Sequence, residues 1–125
     1  MAGIFGFLLK NDRYHSGNIS KKLLQHAKFN FNFQSDCYID DSGKAGLGFA
    51  FPNPGSKYPF VSQDKNYIFQ PFGEIYLPDF SRLSELNFED QFLHYYLKLG
   101  NDFIRQLRGS FIFSLFIKPE NRFII

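Results

Sequence analysis

Apolar and polar positions along this chain follow two different periods. Gly3-Ile4-Phe5-Gly6-Phe7-Leu8-Leu9 is apolar on both alternating faces, which predicts a buried strand. Residues 11–18 are polar and contain glycine, the mark of a loop. Residues 20–27 predict a short helix, with Asn18 or Ser20 able to cap its start. Residues 29–40 alternate weakly, placing Phe29, Phe31 and Phe33 on one face. Asp40-Asp41-Ser42-Gly43 is a turn signal, and residues 45–51 return as a glycine-rich strand. Pro52-Asn53-Pro54-Gly55-Ser56 carries too much proline and glycine for regular structure. Residues 59–63 and 67–70 flank Asp64-Lys65-Asn66 in a hairpin pattern, followed by a short strand at 73–76 and a loop around Pro78-Asp79.

The period changes in the last third. Phe88, Phe92, Tyr95, Tyr96 and Leu99 recur at helical spacing, so residues 88–99 predict an amphipathic helix. Asn87 can cap it, Asp90 lies in its first turn, and Gly100 ends it. Residues 103–107 add a further helical turn or two, and Arg108-Gly109-Ser110 breaks it. Residues 110–117 form a strand apolar on both faces: Phe111, Phe113, Leu115 and Ile117 on one, Ile112 and Phe116 on the other. Pro119-Glu120-Asn121 turns the chain, and Phe123-Ile124-Ile125 begins a return strand. Strands apolar on both sides need cover above and below, which two sheets with helices outside supply. A sequence that stops inside a hairpin strand is expected to be a truncated piece of a longer protein.

At 125 residues the chain suits one domain. Fourteen Lys and Arg against twelve Asp and Glu leave a net charge of +2, no special attraction for nucleic acid or anionic membrane. No run of eighteen apolar residues and no signal-peptide pattern occurs, so a cytosolic protein is expected. The single cysteine, Cys37, excludes an internal disulfide and a cysteine-rich metal site. Eighteen Phe and seven Tyr with no Trp suit sheets, where flat rings pack across neighbouring strands.

Four stretches carry a resemblance. Met1-Ala2-Gly3-Ile4-Phe5-Gly6 resembles Met-Cys-Gly-Ile-Phe-Gly, the start of the asparagine synthetase family of class II glutamine amidotransferases, with Ala2 in place of cysteine. Asp41-Ser42-Gly43 and Gly46-Leu47-Gly48 resemble that family's acidic turn and Gly-His strand. Phe72-Gly73-Glu74-Ile75-Tyr76 resembles its Asn-Gly-Glu-Ile-Tyr motif. The segments around Leu93-His94-Tyr95-Tyr96, Gly100-Asn101-Asp102-Phe103 and Leu107-Arg108-Gly109-Ser110-Phe111 resemble its helix and the strand after it. The order and spacing span nearly the whole chain. The resemblance implies an α+β fold, the four-layer αββα sandwich of the N-terminal nucleophile hydrolases, truncated at its C-terminus. It also implies that residues 1–125 are one glutamine amidotransferase-like domain, continued by an ATP-using synthetase domain.

In that family the cysteine, exposed by methionine removal, attacks the glutamine side-chain amide with its own α-amine as base. An asparagine and the next glycine N–H stabilise the oxyanion, and an arginine grips the substrate carboxylate. Carried over position by position, the set is missing. Ala2 offers only a methyl group, Phe51 stands nearest the arginine position, and Phe72 replaces the oxyanion asparagine. The acid at the helix start falls at Phe88, with Glu89 and Asp90 adjacent, while Gly73 and Glu74 are retained. Ala27-Lys28-Phe29 does not match the family's His-Arg-Gly-Pro-Asp segment. Phe51, Phe72, Gly73, Glu74 and Phe88 thus outline a vestigial pocket in which phenylalanines replace polar groups.

Three functions follow. The first is a catalytically degenerate glutaminase-like domain with a structural or assembly role, beside a downstream synthetase domain or a separate synthetase subunit, or in a homodimer. The second is a working amidotransferase domain carrying an engineered cysteine-to-alanine change. The third is a free-standing interaction module. No cofactor, metal, nucleic-acid or membrane role is expected. Cys37 reads as a half-buried structural thiol. His15, His26 and His94 show no metal spacing, and His94 is expected on the helix face that meets the sheet.

Overall fold

A computed structural model describes residues 3–10, 16–27, 34–51, 59–78 and 85–125. The chain is α+β. The described strands are β1 (Gly3–Leu8), β2 (Gln34–Ile39), β3 (Ala45–Phe51), β4 (Phe60–Val61), β5 (Tyr67–Tyr76), β6 (Arg108–Ile117) and β7 (Arg122–Ile124). The helices are α1 (Ser16–Ala27), α2 (Phe88–Leu99) and α3 (Asn101–Ile104), with a 3₁₀ turn at Lys118–Glu120. Two antiparallel sheets result, ordered β1-β3-β2 and β4-β5-β6-β7. The chain divides into two compact units: Met1–Gln70 with Phe113–Ile125, and Pro71–Ile112.

In the first unit the two sheets meet face to face. Ala45 and Leu47 of β3, Ile68 of β5 and Phe116 of β6 are buried together. Ile4 and Leu8 of β1, Tyr38 of β2, Val61 of β4 and Phe123 of β7 close around them. Gly6 carries no side chain on this inner face, and the Phe123 ring fills the space: a Cβ on Gly6 would lie 3.2 Å from Phe123 Cε1. Phe123 also pairs with Phe116 across the β6–β7 ladder, ring centroids 4.7 Å apart.

The other face of the β1-β3-β2 sheet lies under α1, which contacts all three strands. On this face β3 alternates small residues: Gly46, Gly48 and Ala50. The register sets Phe5 opposite Gly48 and Phe7 opposite Gly46. Each ring lies over its glycine. A Cβ on Gly46 would sit 2.6 Å from Phe7 Cζ, and one on Gly48 would strike Phe5 Cζ and lie 2.7 Å from Cys37 Cβ. An aromatic ring over a cross-strand glycine restores the apolar cover that the glycine lacks.

β3 is therefore the strand buried on both faces, whereas β1 is a half-buried edge. This corrects the expectation for residues 3–9. Large apolar side chains marked β1, yet small ones let β3 be covered from both sides. The same correction reaches α1, which begins at Ser16 rather than residue 20, and β5, which runs unbroken through Pro71 to Tyr76. Among the described residues β4 pairs with Ile68 and Phe69, on the N-terminal side of Pro71.

Local chemistry fixes the turns. Asp40 is buried, and its carboxylate accepts from Ser42 Oγ (2.6 Å), Ala45 N–H (3.0 Å) and Lys44 N–H (3.1 Å). Gly43, at φ 68°, donates to the Asp40 carbonyl at 2.8 Å and completes the turn. In the β4–β5 hairpin Asp64 accepts from Ser62 Oγ (2.5 Å) and Asn66 N–H (3.1 Å), with Lys65 left-handed at φ 57°.

The second unit holds α2 and α3. Asn87 Oδ1 accepts from Asp90 N–H at 2.8 Å, and Gly100, at φ 57°, donates to the Tyr96 carbonyl. α2 buries Phe92, Leu93, Tyr95 and Tyr96, and Phe103 of α3 meets the Phe92 ring edge-on at 5.3 Å. Leu99, expected on the buried face, is 37% exposed at the last residue of the helix, one turn beyond the buried Tyr95 and Tyr96. The first expected break, Arg108-Gly109-Ser110, is strand: Gly109 takes φ 120° inside β6. Residues 29–33 and 52–56, assigned above to a weak strand and a loop, lie outside the described residues.

Gly48→Ala is expected to lower unfolding stability by roughly 1–3 kcal/mol in urea titration, because Cys37 Cβ cannot retreat. Reduced freedom of the unfolded chain opposes this by only about 0.4–1 kcal/mol. Unchanged stability would contradict the ring-on-glycine packing. Asp40→Ala is expected to cost about 2 kcal/mol at neutral pH, since the buried Ala45 N–H loses its acceptor. Burial pushes the Asp40 carboxyl up, but hydrogen bonds from Ser42, Ala45 and Lys44 outweigh it and hold the group below the usual range. The stabilisation is thus complete above the unfolded-chain value of about 3.9 and fades as pH falls through the lower folded value. Chemical denaturation from pH 7 to pH 2 should show the gap between the two proteins closing only below about pH 4; a gap that closes near neutrality would contradict it.

Candidate functional site

The residues assigned to the vestigial pocket fall on several elements. Phe51 ends β3 in the first unit, is buried, and stacks on Phe49 with ring centroids 5.4 Å apart at 22°. Phe72, Gly73 and Glu74 lie on β5 in the second unit. Phe88 is the first residue of α2 in that unit, half-buried, its ring 6.3 Å from that of Phe92. Ala2 lies outside the described residues, immediately before β1.

β5 and β6 come unusually close at this motif. Gly73 takes φ 95°, and a Cβ there would run into the Ser110 carbonyl and lie 3.0 Å from Phe111 Cα. Gly109 takes φ 120°, and a Cβ on it would run into the Glu74 carbonyl. Both positions demand glycine twice over, through their φ and through the neighbouring backbone. Backbone sterics alone account for Gly73. Phe72 is 40% exposed, and Glu74 is exposed, its Oε2 accepting from the Tyr76 hydroxyl at 3.1 Å. That hydrogen bond, with the carboxylate charge, pushes the Tyr76 hydroxyl above its ordinary value.

Cys37 stands elsewhere, on the edge strand β2, with its side chain on the α1 side. It lines an open groove of about 480 Å³ together with Ser20, Leu24 and Gln25 of α1 and Ser35 and Ile39 of β2. Burial pushes the thiol up, a hydrogen bond from the buried Ser20 hydroxyl draws it down, and the Asp36 charge pushes it up again; the balance is a raised value. Among the described residues the lining adds Lys21 and holds no histidine or carboxylate. The net effect on the thiol is a raised value.

His94 corrects its expectation: it is exposed on α2, its ring edge-on to Tyr95 at 5.3 Å. His26 is exposed in the last turn of α1, and His15 lies outside the described residues. Among the described residues no three His, Cys, Asp or Glu gather as metal ligands. None of the described helices is long and apolar enough to cross a membrane.

Sequence reasoning missed two buried polar residues of the first unit. Gln70 stands two residues from Ile68 on β5, and Ser114 two from Phe116 on β6, so both share the face that meets the other sheet. Ser114 Oγ has no hydrogen-bond partner among the described residues. The signal lay in one polar residue set into each apolar strand, Phe69-Gln70-Pro71 and Phe113-Ser114-Leu115.

No protein-family model matches the chain, and a search of curated proteins finds no significant relative. The family resemblance rests on the motifs themselves.

Cys37 is expected to alkylate with iodoacetamide more slowly than a free cysteine at pH 7.5, with a rate still climbing above pH 8.5. Ser20→Ala should slow it further by removing the donor to the thiolate. A fast reaction that plateaus below pH 7 would contradict the raised thiol value.

Proposed function

We propose that this chain is a catalytically silent amidotransferase-like domain, similar to the N-terminal domain of the asparagine synthetase family. Its work is structural: it supports, caps or dimerises an ATP-dependent amide-forming domain, in the same chain or in a separate subunit. The fold proposed is the four-layer αββα sandwich of the N-terminal nucleophile hydrolases. In support, the first unit alone carries the succession of helix, sheet and sheet.

One observation carries the reading. The residue at the nucleophile position is Ala2, directly ahead of a strand paired from Gly3 onward, Gly3 opposite Ala50. An N-terminal nucleophile acts from the head of a strand because its thiol and its own α-amine are then held together. Here the head of the strand bears a methyl group. A free α-amine in that place has no proton to take from a side chain. The polar groups that would bind and polarise glutamine are also replaced: Phe72 stands for the oxyanion donor, Phe51 for the carboxylate-binding arginine, and Phe88 for the helix-start acid. Loss of the sulfur alone would leave a binding site without chemistry; with the asparagine, arginine and helix-start acid replaced as well, the retained Gly73 and Glu74 do not make up a glutamine site.

Restoring the sulfur separates this reading from a working glutaminase with one altered residue. Ala2→Cys, with methionine removal verified by mass spectrometry and folding by circular dichroism, is expected to release no ammonia from glutamine above background. Sustained glutamine turnover would overturn the proposal.

A further inference from the structure

We draw no further inference here: the strongest candidate, the exposed apolar side chains of Phe72 and Tyr76 on β5 and Ile112 on β6 in the second unit, carries none because nothing in the structure shows what covers them.

Discussion

The first unit depends on a strand that is nearly bare of side chains on one face. β3 hydrogen-bonds to β1 on one side and β2 on the other, and all seven of its residues are buried. Ala45 and Leu47 face the second sheet, while Gly46 and Gly48 leave room for the rings of Phe5 and Phe7 beneath α1. Glycine in a strand costs backbone entropy and packs nothing itself. The cross-strand rings repair the second deficit by burying apolar area at roughly 25 cal/mol per Å². The arrangement is local and tightly keyed: a one-residue slip of β1 would set Phe5 and Phe7 opposite Phe49 and Leu47, or opposite Leu47 and Ala45, and would turn the rings to the wrong face. This register also brings the start of the chain to the strand that the functional proposal concerns.

Where local chemistry decides structure, the sequence was readable. Asn87 and Gly100 bound α2 at the residues where the helical spacing starts and stops. Asp40 and Gly43 make the turn their types suggest, and Asp64 does the same for the β4–β5 hairpin. Where tertiary packing decides, the sequence misled. Hydrophobic content named β1 as the doubly covered strand, but coverage went to β3, whose α1-side residues, Gly46, Gly48 and Ala50, are small enough to be covered. Pro71 looked like a boundary and is none: β5 runs through it to Tyr76. Gly109 looked like a break and is a close backbone crossing. Gln70 and Ser114 stood out only as single polar residues within apolar stretches, and that they face inward is evident only once the opposing sheet is known.

The candidate site was legible as a set of substitutions and less so as a place. The motif Phe72-Gly73-Glu74 points to an amidotransferase by resemblance. In the structure, the close backbone of β6 already requires Gly73, so this residue fits a retained fold as well as a retained function. Cys37, the chain's single thiol, sits under α1 with a raised value and no histidine or carboxylate beside it among the described lining residues, unlike the activated sulfur that amide hydrolysis needs. What persists are elements that hold strands together. What the resemblance leads one to expect, and the sequence does not carry, are the nucleophilic cysteine, the oxyanion asparagine and the substrate-binding arginine. A structural role is the reading that both halves of that contrast favour.

The claim that β3 anchors the fold is tested most directly by native-state hydrogen exchange resolved to single amides. The paired amides of β3 are expected to exchange slowest, at the free energy of global unfolding, with β4 and β7 opening far earlier. Exchange in β3 as fast as in those two short strands would contradict the account.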